Sequence, residues 1–371
     1  MRIALVAEDY YPQVGGIPEH VHNLALQFTE RGHTVTVVSS HMRGAYPRDY
    51  RPTYDVRRIG TSVVIYANGG VSRITVGWRL RAGLEALFRE GGFDVVHVHG
   101  GLAPTFGTLT PLAARRVGIP VVATFHSWFP RSAAARVFRR PLQRLMDLHA
   151  ATIAVSAPVV EAYSRYFSAN WEIIPNGVDI GYFRPNGRGA AERPLGEPRL
   201  LYLHRLEPRN HLGTLLRAMP LILQHFPATQ LLVAGDGPWR TYYRRQAAPL
   251  GSSVRFLGRV EDRPDWYRSV DLYLCATTRA AFGITLLEAM ACGVPMVVGD
   301  NPGFRALVNG GQEAIVLPHH DAAAWAGAVV ALLGDPARRE AMGRAGVMKA
   351  AGFAWPRVAG RVMEVYERVV R

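Results

Sequence analysis

The chain has 371 residues, 49% hydrophobic and 19% charged, which is too long for one ordinary core and too apolar for a disordered protein. Its formal net charge of +14 is carried almost wholly by arginine, with Lys349 the single lysine, and points to anionic partners: nucleotide, phosphate, nucleic acid or an acidic membrane. Two cysteines, Cys275 and Cys292, exclude a disulfide framework and suit a reducing cytoplasm, and no apolar run approaches the ~18 residues of a spanning helix.

The N-terminus reads directly as a strand, Ile3–Val6, with no signal peptide ahead of it. The segment Pro12-Gln13-Val14-Gly15-Gly16-Ile17-Pro18-Glu19-His20 follows. Its paired glycines, Gly15 and Gly16, let backbone amides approach a phosphate at a helix start, although a tight turn without a ligand fits the same residues. Val21, Leu24, Ala25 and Phe28 then fall at i, i+3, i+4 and i+7, one apolar face of a helix, and a second strand is expected at Val35–Val38. Leu80, Leu84, Leu87 and Phe88 make another helical face beside Arg79, Arg81 and Arg89, read as a helix packed on its own sheet.

Strands are expected next at Val95–Val98 and Val121–Phe125. His126 stands directly after the second, where residues past the carboxyl ends of strands line the ligand crevice of an α/β sheet. A lone histidine in that place also serves structure. Phe138, Leu142, Leu145 and Met146 form an apolar face beside Arg131, Arg136, Arg139, Arg140 and Arg144, the pattern of a basic amphipathic helix on an anionic membrane surface, or of a helix packed on its own sheet with a solvated arginine face. Strands Thr152–Val155 and Glu172–Ile174 and the turn cluster Ile174-Pro175-Asn176-Gly177-Val178-Asp179 close the series.

The Pro-, Gly- and charge-rich stretch Phe183–Pro198 reads as a linker. Strands resume at Leu200–Leu203, Leu231–Ala234, Val254–Leu257, Leu272–Cys275, Met296–Val298 and Ala314–Leu317. After Leu272–Cys275, the residues Phe282-Gly283-Ile284-Thr285-Leu286-Leu287-Glu288 form a glycine loop entering a helix, an anion site made of amides. Glu288 reads there as a ribose acceptor or as a partner of the helix dipole. The alternation of strands and helices predicts an α/β fold of two Rossmann-like domains facing a cleft. Their expected ranges are 1–182 and 183–354, with a C-terminal helix at 355–371.

In this order and spacing the motifs resemble the retaining GT-B glycosyltransferases of family four, nearest to the phosphatidylinositol mannosyltransferase branch, along the whole chain. The likeness includes Phe93-Asp94-Val95-Val96-His97-Val98-His99, the Phe125-His126-Ser127 segment with Arg131 five positions beyond the histidine, and the helix Trp355 to Tyr366. In that family this helix crosses back onto the first domain. The resemblance implies roles residue by residue. Gly15 and Gly16 approach the donor β-phosphate, His126 touches the transferred sugar, and Arg131 faces the acceptor's phosphate. Arg205 holds the donor pyrophosphate, Phe282, Gly283 and Ile284 form its amide-rich loop, Val260 and Asp262 lie at the base, and Glu288 lies at the ribose.

The resemblance also implies a nucleotide-sugar donor, GDP-mannose first, and a lipid or polyol-phosphate acceptor at the cytoplasmic membrane face. No metal, cofactor or nucleic acid is called for. Fixed amides and arginine stabilise the charge that grows on a departing diphosphate.

Two positions depart from the family pattern. The family reads Gly-Arg-Leu followed by Lys-Gly, where this chain has His204-Arg205-Leu206 and Asn210-His211. A glutamate eight positions before Glu288, which meets sugar hydroxyls, is here Ala280. His204, His211 or Arg209 are candidates to replace the lost lysine, and a different donor would also suit the change. The alternative is a relative with a weakened donor site that acts as a binding or regulatory partner.

Overall fold

A computed structural model describes residues 1–47, 50–67, 70–102, 105–187, 198–308 and 310–371; most of the expected linker, 188–197, lies outside them. The chain divides into two compact α/β units, Met1–Asn176 with Trp355–Arg371, and Gly177–Ala354.

Among the described residues the first unit carries eight strands: β1 Arg2–Ala7, β2 Thr34–His41, β3 Asp55–Ala67, β4 Gly70–Val76, β5 Val95–His99, β6 Val121–Phe125, β7 Ala151–Ala154 and β8 Trp171–Ile173. Their order is β4-β3-β2-β1-β5-β6-β7-β8, parallel except for the β3/β4 hairpin. The second unit carries β9 Arg199–Leu203, β10 Gln230–Ala234, β11 Val254–Gly258, β12 Leu272–Cys275, β13 Met296–Gly299 and β14 Ala314–Leu317, all parallel, in the order β11-β10-β9-β12-β13-β14. In each sheet the winding reverses once, between β1 and β5 and between β9 and β12. Such switch points open a crevice at the strands' carboxyl ends.

The parallel strands form where apolar runs are buried on both faces: every residue of β5 and β6 is buried. The twelve expected strands therefore reappear within a few residues of their predicted bounds. The β3/β4 hairpin was not expected. Its strands interleave arginine, serine and threonine with valine and leave Val63 and Val64 exposed, so no continuous apolar run marks them. Gly60 in β3 has φ +68°, and an added Cβ would meet Leu80 Cδ2 at 2.6 Å, so this bend against the following helix needs glycine.

The helix Gly16–Glu30 buries the expected stripe of Val21, Leu24, Ala25 and Phe28. Against the same core lies the C-terminal helix Trp355–Val370, which buries Trp355, Val358, Ala359, Val362, Met363 and Tyr366. This 3.6-residue stripe returns the chain to its first unit after the second is complete. The Tyr366 hydroxyl bonds His97 Nδ1 at 2.6 Å, and Arg361 donates to the Ile173 carbonyl at 2.6 Å.

The first arginine-flanked face packs inward as expected, with Leu80, Leu84 and Phe88 buried. The second does not form one continuous helix. It breaks at Phe138 into Ala133–Val137 and Arg139–Met146, of which only Met146 is buried. Val137 and Phe138 are 74% and 58% exposed.

Candidate functional site

In the first unit the residues converge at the β1/β5 switch point. Gly15 precedes the helix Gly16–Glu30 in an extended conformation, and a Cβ there would meet only Pro18, at 3.8 Å. The fold itself does not demand glycine at 15. His126 follows β6 directly, is half-buried, and lies with its Nε2 3.1 Å from His99 Nδ1 at the end of β5. His20, in the first turns of the helix, packs 4.8 Å from His126 and donates through Nδ1 to Asn176 Oδ1 at 2.8 Å. Burial, then the neighbouring His20 and His97, hold His126 well below the usual imidazole range. It is a neutral hydrogen-bonding group at neutral pH. Arg131 lies beyond it, exposed.

In the second unit Arg205 leaves β9 beside the β9/β12 switch point. Buried Glu207 takes Arg205 Nε at 3.5 Å and Arg209 Nε at 3.0 Å, so one carboxylate orients two guanidiniums and leaves a net positive charge. Asn210, in the place of the family's lysine, is 4% exposed. Its Nδ2 donates to the Arg205 carbonyl at 2.7 Å, and its Oδ1 accepts from Thr277 Oγ1 at 3.1 Å. Thr278 adds two bonds to the Arg209 carbonyl. Asn210 thus clasps the loop after β9 to the loop after β12.

The candidate replacements for the lysine fare differently. His204 Nε2 sits 2.9 Å from Cys275 Sγ and 3.0 Å from the Tyr273 hydroxyl, and burial lowers its pKa to about 4, so it brings no charge. His211 adopts a left-handed backbone and packs 4.8 Å from His319. Arg209 keeps its cation but directs it to Glu207.

Gly283 caps the helix Ile284–Ala291 at φ +135°, where a Cβ would meet Phe304 at 3.0 Å, so the turn into this helix requires glycine. Phe282 is buried behind it, and the partly exposed Ile284 opens the helix. Ala280 lies just before, its backbone against Gly303. Glu288 is the fifth residue of this helix, about where the sequence reading puts it. It lies one turn inside, 1% exposed, bonded to Arg263 Nη1 at 2.7 Å and to the Tyr267 hydroxyl at 2.9 Å. The first turn carries no acidic residue, so Glu288 does not serve the helix dipole. Val260 is partly exposed, and Asp262 exposed in a left-handed conformation, on the loop after β11.

Arg263, Tyr267 and Thr277 were not anticipated, because each acts through a partner more than twenty residues away. His20, His97 and His99 lie in the motif segments but carry no role read from the sequence. Their signal was position, since His97 and His99 lie on β5, with His99 at its end, and His20 lies in the first turns of the helix after β1.

Residues 14–182 match the family model for Glycosyltransferase Family 4, and residues 197–335 that for Glycosyl transferases group 1. The chain is 34% identical over its whole length to phosphatidyl-myo-inositol mannosyltransferase of Mycobacterium tuberculosis (strain CDC 1551 / Oshkosh), covering 97% of that protein. It is 31% identical to D-inositol 3-phosphate glycosyltransferase of Thermobispora bispora, over 77% of this chain and 74% of that one. Among solved structures, sucrose-phosphate synthase from Thermosynechococcus elongatus matches with a TM-score of 0.78 at 22% identity, over 99% and 98% of the two chains. HepE from Anabaena in complex with UDP-glucose matches with 0.77 at 18% identity, over 99% and 100%. These likenesses show the fold, the two-sheet GT-B architecture.

Proposed function

The chain belongs to the family 4 glycosyltransferases, and from that premise we propose that it moves mannose from GDP-mannose to the inositol-phosphate headgroup of a lipid, with retention of configuration. The observation that carries this reading is the full-length likeness to a phosphatidyl-myo-inositol mannosyltransferase. A UDP-sugar donor is the nearest variant.

As the sugar departs, negative charge grows on the donor's β-phosphate. From the second unit, Arg205, held by Glu207, and the amides at the start of the helix Ile284–Ala291 meet that charge. Gly15 and Gly16 are assigned to a donor phosphate by the family resemblance alone. Fixed donors of this kind need no divalent ion, so the reaction is proposed to be metal-independent. His126, kept uncharged by burial, offers the sugar a directed hydrogen bond and no cation. Val260 and Asp262 are assigned to the base. Glu288 reaches a ribose only by sharing its carboxylate with Arg263. Asn210 keeps the Arg205 loop in place and Ala280 leaves room at the sugar, which supports a working donor pocket of altered chemistry.

For the acceptor, Arg131 is assigned to the headgroup phosphate, and the exposed arginines that follow it to an anionic membrane, at its inner face. No helix among the described residues is long and apolar enough to cross a membrane. The test is incubation with GDP-mannose and phosphatidylinositol vesicles, following label into lipid and the anomeric configuration by NMR. Transfer to lipid with the donor's configuration kept is the expected result. No transfer from any of a panel of nucleotide sugars, with no nucleoside diphosphate bound, would sink the proposal.

A further inference from the structure

Inside the first unit, His20, His99 and His126 each bring one ring nitrogen within 4.8 Å of those of the other two. Sugar transfer gives a part to His126 alone. His20 and His99 are 2% and 1% exposed, and two further polar rings at such a place cost burial without an evident return.

Their geometry matches a different chemistry. His99 Nδ1 and His126 Nε2 stand 3.1 Å apart. Two nitrogens bound tetrahedrally at ~2.0–2.1 Å from one zinc ion stand about 3.3 Å apart. The bond from His20 Nδ1 to Asn176 fixes that ring's tautomer and leaves Nε2 with a free lone pair, as an outer partner does for a ligating histidine. His99 Nε2 is buried and has no hydrogen-bond partner among the described residues. That ring can tilt toward an ion by giving up only its bond to His126. Behind the trio, His97 is bonded at both nitrogens, to Tyr366 and Thr124, and packs 4.1 Å from His99. It therefore forms a wall and offers no fourth ligand.

We propose that His20, His99 and His126 form a binding site for one transition-metal ion of the zinc class, and that its occupancy blocks sugar transfer. The ion replaces the single proton that His99 Nδ1 and His126 Nε2 share, and that proton moves to the outer nitrogen of the ring that releases it. Each imidazole stays neutral, three ligands are supplied, and water takes the fourth position. The block rests on the part proposed for His126 in transfer, whereas binding does not.

The test is titration of the full chain, stripped with a chelator and free of nucleotide, with Co2+ and then Zn2+ in competition. The visible bands of four-coordinate cobalt are followed. One ion per chain is expected. His20→Gln and His99→Gln should each weaken it at least tenfold. Asn176→Ala removes only the orienting bond and should weaken it severalfold, which covers the case in which a histidine variant fails to fold. His319→Gln, at the His211–His319 pair, should change nothing. Undiminished binding in folded His20→Gln and His99→Gln, or loss in His319→Gln instead, overturns the site. Transfer measured alongside should fall with the same midpoint as binding; full transfer by ion-loaded protein overturns the block. A protein with no transfer even when metal-free would count against the transferase reading and leave the titration result standing.

Discussion

Asn210 commits both ends of its amide inside the protein, to the Arg205 carbonyl and to Thr277. Asn210→Lys breaks both bonds and places an ammonium where 4% of the residue is exposed. It should destabilise by roughly 2–4 kcal/mol and leave nucleoside diphosphate binding no tighter, as thermal melts and calorimetry will read. A variant that is stable and binds tighter would mean the clasp is dispensable. Arg205 behaves differently, since its side chain is 43% exposed and free to meet a ligand. Arg205→Ala should weaken nucleoside diphosphate binding about tenfold or more, from the ~1.5–3 kcal/mol of a charge-assisted bond, with the melting temperature little changed. Gly283 and the place of His126 were readable in the sequence, because a glycine before a helix and a residue after a buried strand have fixed geometric meanings. The burial of Glu288 was not readable. Its partners Arg263 and Tyr267 stand 25 and 21 residues earlier, on a separate helix, and no local pattern announces them.

Among the elements, the parallel strands were readable from their unbroken apolar runs, and the β3/β4 hairpin was hidden by its mixed composition. The arginine-rich segment shows a third case. Its periodicity was read correctly as amphipathic, but the break at Phe138 turns the apolar residues Val137 and Phe138 outward beside Arg136 and Arg140. Binding to anionic vesicles should therefore exceed binding to neutral ones and weaken with salt. Replacing Arg136 and Arg140 by glutamine should lower partition roughly thirtyfold, at ~1 kcal/mol each. Equal sedimentation with both vesicle types would rule this surface out. The C-terminal helix is tied in by Tyr366, and Tyr366→Phe should cost about 1–2 kcal/mol in a denaturant melt by leaving His97 Nδ1 unpaired. No change in the midpoint would show the bond to be replaceable.

For the molecule as a whole, acid is the condition to which the fold is most exposed. His20, His149 and His204 are lowered to about 4 by burial, and His97, His99 and His126 fall well below the usual value. The unfolded chain takes up these protons near pH 6.5 and the folded one does not. Stability is thus fully present above pH ~6.5 and is withdrawn as pH falls toward 4, by about 1.4 kcal/mol per pH unit for each such histidine. Glu8, raised by burial, acts in the opposite sense. Melting temperatures across pH 4–8 should fall steeply below pH 6, and less steeply in His149→Gln; a flat profile would refute the assignment. The two-unit division was visible in the strand series, but the timing it imposes was not. The first unit holds Met1–Asn176 and Trp355–Arg371, with 177–354 made in between. At ~5–20 residues per second, a ribosome leaves the first unit without its last helix for roughly 10–40 s, with Phe28 and His97 lacking their cover. The second unit has no such wait. An N-terminal unit that can close only after the C-terminal one has been translated makes every prematurely ended product an open one, ready for chaperones or proteases, and links the completion of one core to the synthesis of the other.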